Sequence, residues 1–191
     1  MLQSMVVDLS QLDPKDVRPL SRKEYERMAE LGMFEDERVE LLRGTVVKMS
    51  PQGGHHATVT AWFSQRLSIA LGMTVEVRPQ LPFAASDWSE PEPDIAIATR
   101  DRSLRDHPSR ALLLIEIADS SLRRDRGLKL GIYAEAGVPE YWIVNVTTMT
   151  VEVYTEPREG GYARVEQLRD GDVLHPTQLP GIELPVAEIP R

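Results

Sequence analysis

The sequence predicts an α/β fold in which a central mixed β-sheet is flanked by helices. The first observation is the order of elements, which is helix, hairpin, helix, several strands, helix and strands. The second is an apolar strand, "RALLLIEIA", followed by a helix and the apolar strand "PEYWIVN", the order of a βαβ crossover with parallel strands. With 191 residues, 41% of them hydrophobic and 27% charged, the chain can bury one substantial core.

The first half of the chain contains four predicted elements. In "SRKEYERMAEL", Ser21 and Glu24 have the spacing of a capping box and predict a helix. "ERVELLRGTVVKMS" alternates apolar and polar residues around an Arg-Gly pair and predicts a hairpin. "HHATVTAWFSQRLSIAL" predicts an amphipathic helix that ends at Gly72. "MTVEVRPQLPF" predicts one or two strands with a break near Pro79.

The second half is richer in strands. "WSEPEPDIAIAT" is a Pro-rich approach to a short strand, and "RDRSLRDHPSR" is a polar connection to the buried strand "RALLLIEIA". "RRDRGLKLGIYAEAG" predicts a helix that ends at Gly137. "PEYWIVN", "MTVEVYTE" and "GYARVEQL" predict a β-meander, and the Pro-rich tail "LPGIELPVAEIP" is expected to pack over the sheet edge.

The composition excludes several classes of site. The absence of cysteine excludes disulfides and thiolate metal sites, so a metal would be a hard cation such as Mg²⁺ or Mn²⁺. No apolar run approaches the roughly 20 residues of a membrane span. The N-terminus lacks the basic start and apolar block of a signal peptide, so a cytoplasmic location is expected.

The charge distribution leaves two interpretations open. The net charge of −8 alone argues against a nucleic-acid partner, because phosphate binding needs Lys and Arg. However, the stretch from Arg100 to Lys129 holds eight Lys/Arg against five Asp/Glu, while the rest of the chain is acidic. This stretch is either a solvated mixed-charge surface or a surface that faces phosphates.

Two carboxylates sit where ionised groups are unusual. Glu116 lies inside the apolar strand "LLLIEIADSS", where burying its charge is costly without a partner. That partner is either a buried arginine or a divalent cation shared with Asp94, which follows Pro93 and precedes the strand "IAIA". Asp94 also has an alternative interpretation as ordinary turn chemistry.

Lys129 is the third residue of interest. It lies on the helix after Glu116, with Asp125 and Tyr133 four residues to either side on the same helical face. A lysine there could stabilise negative charge that develops beside a cation. The alternative is an exposed lysine paired with Asp125.

Several of these segments resemble one protein family. "EPEPDIAIA", "LLLIEIADSS", "DRGLKLGIYAEAGVPEYWIVN", "LPGIELPVAEI" and the earlier "VELLRGTVVKMSPQGGHH" are similar, in order and spacing, to the Uma-two-type restriction endonucleases of the PD-(D/E)xK nuclease superfamily. The resemblance runs from about Ser21 to the C-terminus. It implies a restriction-endonuclease-like core with an added β-meander over residues 21–191, preceded by an N-terminal arm over residues 1–20.

The resemblance also implies a site. Its catalytic residues would be Asp94, Glu116, Lys129 and Glu40. Its cation ligands would be Asp94, Glu116, the backbone carbonyl of Ile117 and Glu40, the last through water. Ala118 stands where the superfamily motif has its lysine, and Lys129 matches a lysine moved to the following helix. Asp125, Tyr133 and His56 would support the site, although a histidine near a helix start is also typical of a cap or surface residue.

The implied activity is Mg²⁺- or Mn²⁺-dependent hydrolysis of DNA phosphodiester bonds. Arg123, Arg124 and Arg126 would contact phosphates beside the site, and a homodimer would address both strands. The alternative is a catalytically silent nuclease-fold protein that acts as a protein-binding or regulatory module. The acidic net charge and Ala118 favour this alternative.

Overall fold

The computed structural model describes residues 13–99 and 106–191. Most of the predicted N-terminal arm and half of the predicted polar connection therefore lie outside the described residues, and the arm over residues 1–20 stays a prediction. In chain order the strands of the described residues are β1 (Val39–Leu42), β2 (Thr45–Lys48), β3 (Val75–Pro79), β4 (Ile95–Thr99), β5 (Leu113–Ala118), β6 (Glu140–Asn145), β7 (Thr150–Arg158), β8 (Gly161–Leu168), β9 (Val173–Leu174) and β10 (Leu184–Pro185).

The six strands β3 to β8 form one sheet in the order β3-β4-β5-β6-β7-β8. Strands β5 and β6 are parallel and the other neighbouring pairs are antiparallel, which confirms the mixed sheet, the βαβ crossover and the β-meander. Two smaller antiparallel pairs, β1-β2 and β9-β10, stand apart from it. The helices are α1 (Arg22–Glu30), α2 (Gly54–Leu71), α3 (Leu122–Arg124) and α4 (Leu130–Glu135), with short 3₁₀ turns at Pro14–Asp16 and Val186–Glu188.

Local sequence signals fix several of these boundaries. Ser21 caps α1 in a capping box: its hydroxyl accepts from the Glu24 backbone N–H, and the Glu24 carboxylate accepts from the Ser21 backbone N–H. Arg43 and Gly44 both have positive φ angles, 47° and 76°, as the two-residue turn of the β1-β2 hairpin requires. A Cβ added at Gly44 would lie 2.4 Å from the Pro19 Cβ, so glycine is also required there by close packing.

Apolar side chains cover both faces of the sheet. One face packs against α2 through a cluster that includes Phe63 and Trp142, and the other packs against α4 through Tyr133 and Tyr141. The C-terminal tail was expected over the sheet edge, but this is wrong. Its buried apolar residues belong to the α2-side cluster, because the β9-β10 pair turns the tail onto that face.

The predicted helix after β5 is interrupted. A π-helical turn, Asp125–Lys129, separates α3 from α4, and the Leu130 N–H donates to the carbonyl of Asp125, five residues earlier. In the wider π turn, residues four apart project from nearly the same side of the helix. Asp125 and Lys129 are both buried on that side. Such π turns occur frequently at functional sites.

Within residues 13–99 and 106–191, no helix combines the length and the apolar character that crossing a membrane requires.

Glu90 links the β1-β2 hairpin to the segment that leads into β4. Its backbone exchanges two hydrogen bonds with Leu41, while its buried carboxylate lies 3.8 Å from the guanidinium of Arg22 and close to Glu26. Burial and the neighbouring carboxylate of Glu26 raise the pKa of Glu90 to about 7, against the opposing charge of Arg22.

This shift predicts a specific pH dependence. Between the ordinary pKa of 4.5 and about 7, folded Glu90 binds a proton that the unfolded chain has released, so stability falls as pH rises through this window. Glu90→Gln removes the titrating carboxyl but keeps a polar side chain of similar size. It is therefore expected to flatten the slope of stability against pH. Urea midpoints at pH 5 and pH 8 measure it, with the exposed Glu30→Gln as the control. Equal slopes in wild type and Glu90→Gln would contradict the assignment.

Candidate active site

The ladder between β4 and β5 places the two predicted carboxylates side by side. Its register pairs Ile95 with Ile115 and Ala96 with Leu114. Continued by one position, it sets Asp94 opposite Glu116. Directly opposed residues of an antiparallel pair share a face, with Cβ atoms about 5 Å apart. The face is the α4 side of the sheet.

Asp94 closes the open end of this ladder. Its Oδ2 accepts a hydrogen bond from the Ile117 backbone N–H at 2.8 Å and lies 3.1 Å from Nε2 of His56. Among the described residues, no hydrogen bond reaches its Oδ1. The Ile117 bond joins Asp94 to β5, 23 residues away in sequence, and is not the local turn bond that the turn-chemistry alternative expects. One oxygen of Asp94 remains for another partner.

Glu116 faces the crossover helix. Its Oε1 accepts hydrogen bonds from Lys129 Nζ at 2.9 Å and from the Tyr133 hydroxyl at 2.6 Å, and no described residue donates to its Oε2. The partner expected by the structural alternative, a buried arginine, is therefore wrong. The strand's charge is instead met by the lysine of the following helix.

Lys129 is buried, with a side chain 3% exposed, so the alternative of a surface lysine paired with Asp125 is wrong. Its Nζ lies 2.9 Å from Glu116 and 3.0 Å from Oε2 of Glu40 on β1. Glu40 is fully buried, and its Oε2 also accepts from the Glu92 backbone N–H at 3.3 Å. The structure therefore brings Glu40, Asp94, Glu116 and Lys129 together from four different elements.

The cluster holds more negative than positive charge. Burial raises the pKa of Glu116 well above its ordinary value; Lys129 opposes this shift, whereas Asp125, Asp94 and Glu40 add to it. Burial lowers the pKa of Lys129, but the carboxylates of Glu116, Glu40 and Asp125 outweigh burial and raise it overall. The lysine is therefore held protonated at neutral pH.

Asp125 contributes a further buried carboxylate from the π turn. Its Oδ2 accepts from the Ser121 hydroxyl at 2.5 Å, and its buried Oδ1 has no hydrogen-bond partner among the described residues. Burial raises the pKa of Asp125 above its ordinary value, against the opposing effects of Lys129 and of the Ser121 bond.

These groups line a narrow pocket of about 60 Å³. Five carboxylates and two fixed cations face it; they are Glu92, Asp94, Glu116, Asp119, Asp125, Arg124 and Lys129. His56 and Ile117 also line it, whereas Glu40 and Tyr133 act from behind, through Lys129 and Glu116. The volume admits an ion with a few waters and excludes a nucleotide.

The donor set fits a hard divalent cation that keeps much of its water. The described residues contain no ready-made group of three or more His, Asp or Glu ligands. Mg²⁺, however, is commonly held by one or two carboxylates, with water and substrate phosphate completing its coordination. Asp94 and Glu116 each keep an oxygen without a hydrogen bond from any described residue, and the pocket's surplus of carboxylates favours positive charge.

The three arginines predicted to contact DNA separate into two groups. Arg124 lines the pocket and lies 3.8 Å from Glu40 Oε1, and Arg123 is exposed beside it. Arg126 instead forms a two-pronged ion pair with Glu152 on β7, and it does not line the pocket.

Sequence reasoning missed some members of the site. Glu92 and Asp119 flank the two main carboxylates, and Ser121 holds Asp125. The acidic spacing of "EPEPD" and the four-residue separation of Ser121 from Asp125 are the signals that could have found them. His56 lies at the start of α2 beside Asp94, whereas neighbouring His55 contacts the carbonyl of Pro190.

Comparison with known proteins gives a consistent result. The sequence pattern of the Uma2 family, described as "Putative restriction endonuclease", matches residues 22–187. No curated protein matches. The crystal structure of a "putative nuclease belonging to DUF820" from Anabaena variabilis ATCC 29413 matches with a TM-score of 0.71 and 16% sequence identity, over 90% of this chain and 97% of that chain. At this identity the structural likeness shows the shared fold.

Proposed function

The chain belongs to the Uma2 family of putative restriction endonucleases, and we propose that it is a Mg²⁺- or Mn²⁺-dependent endonuclease that hydrolyses DNA phosphodiester bonds. The observation that carries the proposal is that Asp94, just before β4, and Glu116, on β5, line one pocket with Lys129, whose buried ammonium lies 2.9 Å from Glu116. Two carboxylates and one lysine in a pocket open to solvent provide a cation site and a fixed charge beside it.

Each residue of the chain has a distinct role in this proposal. Asp94 and Glu116 would hold the cation, with the Ile117 carbonyl as a further ligand, and the cation would supply Lewis-acid stabilisation of phosphoryl charge. Lys129 has three N–H donors, of which Glu116 and Glu40 engage two, so one remains for an oxygen in the pocket. That donor is preorganised to stabilise negative charge as it develops on the phosphate.

The supporting residues position these groups. Glu40 fixes the ammonium of Lys129 and helps to keep it protonated, in addition to the proposed water-mediated contact with the cation. The Tyr133 hydroxyl orients Glu116 by donating to its Oε1, and no described residue donates to the second oxygen. His56 holds Asp94 at the other side of the pocket, and Arg124 is available to a phosphate at the pocket mouth.

A specific observation also favours the silent-module function. Lys129 already neutralises part of the Glu40 and Glu116 charge, so the cluster can exist as a metal-free structural ion pair. In that case the fold would serve a protein-binding or regulatory role. The two functions differ in whether a cation binds between Asp94 and Glu116.

Plasmid nicking tests the proposed function. Wild type is expected to nick supercoiled plasmid in Mg²⁺ or Mn²⁺ and to be inactive in EDTA. Asp94→Asn keeps the acceptor for the Ile117 N–H but loses a charged ligand, and its rate is expected to fall by more than about a hundredfold.

Identical purification of both proteins controls for contaminating nucleases. Equal nicking by wild type and Asp94→Asn would identify a contaminant and leave the silent module. Calorimetric titration of wild type with Mg²⁺ adds a readout that does not depend on turnover; no binding heat would likewise favour the silent module.

A further inference from the structure

A second cleft adjoins the acidic pocket. It has a volume of about 500 Å³ and is bounded by α3, the π turn and the loop after β2. It shares four lining residues with the acidic pocket, namely Ser50, Ser120, Ser121 and Arg124. A molecule that crosses the mouth of the small pocket therefore enters this larger cleft directly.

The cleft is lined by positive charge, whereas the pocket has a surplus of carboxylates. The remaining lining residues of the cleft are Arg123, Gly127 and Leu128, so it presents two guanidinium groups, the hydroxyls of Ser50 and Ser120 and no carboxylate, while the Ser121 hydroxyl already donates to Asp125. Guanidinium groups bind phosphate oxygens with charge-assisted hydrogen bonds, and serine hydroxyls are common additional donors to a nucleic-acid backbone.

Arg124 stands at the boundary between the two cavities. Its Nε is buried, lies 3.8 Å from Glu40 Oε1 and has no hydrogen-bond partner among the described residues. One Nη atom approaches the carbonyl of Lys48 at 3.5 Å. The buried Nε faces Glu40, so the groups of Arg124 that can meet an anionic oxygen at this boundary are its remaining guanidinium N–H donors.

Gly127 provides independent support. It lies inside the π turn, where glycine is less favourable than alanine by about 0.5–1 kcal/mol. Its φ is not in the left-handed region, and a Cβ added to it would meet no heavy atom within 4 Å. Neither conformation nor packing requires glycine, and the missing side chain leaves the backbone open along the cleft, where a ligand could approach it closely.

We propose that this cleft binds the DNA phosphate next to the one that is cleaved, an inference that rests on the proposed function. The acidic pocket is too small for a nucleotide, so the neighbouring part of the strand must lie outside it, and the cleft is the adjoining cationic space. Because its donors suit phosphate oxygens rather than base edges, the cleft positions the strand without selecting a sequence.

Binding of a fluorescein-labelled DNA duplex of about 16 base pairs tests the cleft. Fluorescence anisotropy is measured over a range of salt concentrations, with Ca²⁺ in place of Mg²⁺ to limit hydrolysis. Arg123→Gln is expected to weaken binding about tenfold and to reduce the salt slope by about one unit. The control is Arg158→Gln, an exposed arginine where β7 ends at the opposite end of the sheet, which should bind like wild type.

Substitutions at Gly127 separate charge from bulk. Gly127→Gln and Gly127→Glu place side chains of equal size into the cleft, and no internal clash is expected from either Cβ. Gly127→Glu should weaken binding more than Gly127→Gln, because it adds a carboxylate where a phosphate is proposed to lie. Equal binding by Gly127→Glu and wild type would overturn the cleft proposal.

A single uncharged methylphosphonate linkage locates the phosphate. Moved stepwise along the duplex, it should weaken wild-type binding most when it is next to the cleavage position, and Arg123→Gln should lose this sensitivity. If wild type cleaves DNA but Arg123→Gln matches Arg158→Gln, the cleft proposal fails and the proposed function stands. If wild type neither binds nor cleaves DNA, both fail.

Discussion

Lys129→Met is expected to lower the free energy of unfolding by about 3–5 kcal/mol at pH 7 without added cation. The substitution preserves the length of the apolar stem but removes the one ammonium between Glu40 and Glu116, which are both buried. Two buried carboxylates are then left without their cation, a larger loss than most single substitutions cause. Urea denaturation followed by circular dichroism measures the effect.

The pH dependence of this loss identifies its cause. Lowering the pH protonates the unpaired carboxylates, so the difference between Lys129→Met and wild type should shrink toward pH 5. The double variant Glu116→Gln/Lys129→Met removes one of the two unpaired charges and should recover part of the stability, even if Lys129→Met alone folds poorly. A loss of less than about 1 kcal/mol, unchanged by pH, would mean that solvent screens the pair.

The fold was largely predictable because its signals are local. These signals are the alternation of apolar and polar residues, the Ser21-Glu24 capping box, the Arg43-Gly44 turn and the β5-helix-β6 order. Each depends on a few neighbouring residues, and the structure has the capped helix, the hairpin and the parallel strand pair that they predict. The direction of the C-terminal tail was not predictable in the same way. It depends on which sheet face still has uncovered apolar surface after α2 has packed.

The site, like the fold, has features that local sequence predicts and features that depend on tertiary packing. The apolar neighbours of Glu116 indicate that it needs a partner, but the sequence does not reveal that the partner is Lys129 rather than an arginine. That choice depends on the π turn, for which "RRDRGLKLG" carries no distinct signal, and on the β1 hairpin, which brings Glu40 to a lysine 89 positions later. Arg126 lies three residues after Arg123 in the same basic segment, and only its packing against β7 sets it against Glu152.

Glu116→Gln is expected to reverse the order of stabilities when a cation is added. Without a cation, the amide still accepts from Tyr133 and Lys129, while the cost of burying a charged carboxylate disappears. The raised pKa of Glu116 makes wild type lose stability as pH rises above about 4.5, a loss that the amide does not share. Glu116→Gln should therefore melt above wild type in EDTA at neutral pH, and the gap should widen with pH.

With Mg²⁺ present, the order should invert, because only wild type keeps both charged ligands. A cation at about 100 times its dissociation constant stabilises the folded protein by about 2.7 kcal/mol, which Glu116→Gln should not gain. Its nicking rate should fall roughly a thousandfold, since the Lewis-acid contribution of several kcal/mol is lost with the cation. If Glu116→Gln instead melts below wild type in EDTA and binds Mg²⁺ equally well, Glu116 is the anionic half of a structural pair with Lys129. The cation site would then have to be sought at Asp94 and Asp125, whose Oδ1 atoms accept no hydrogen bond from a described residue.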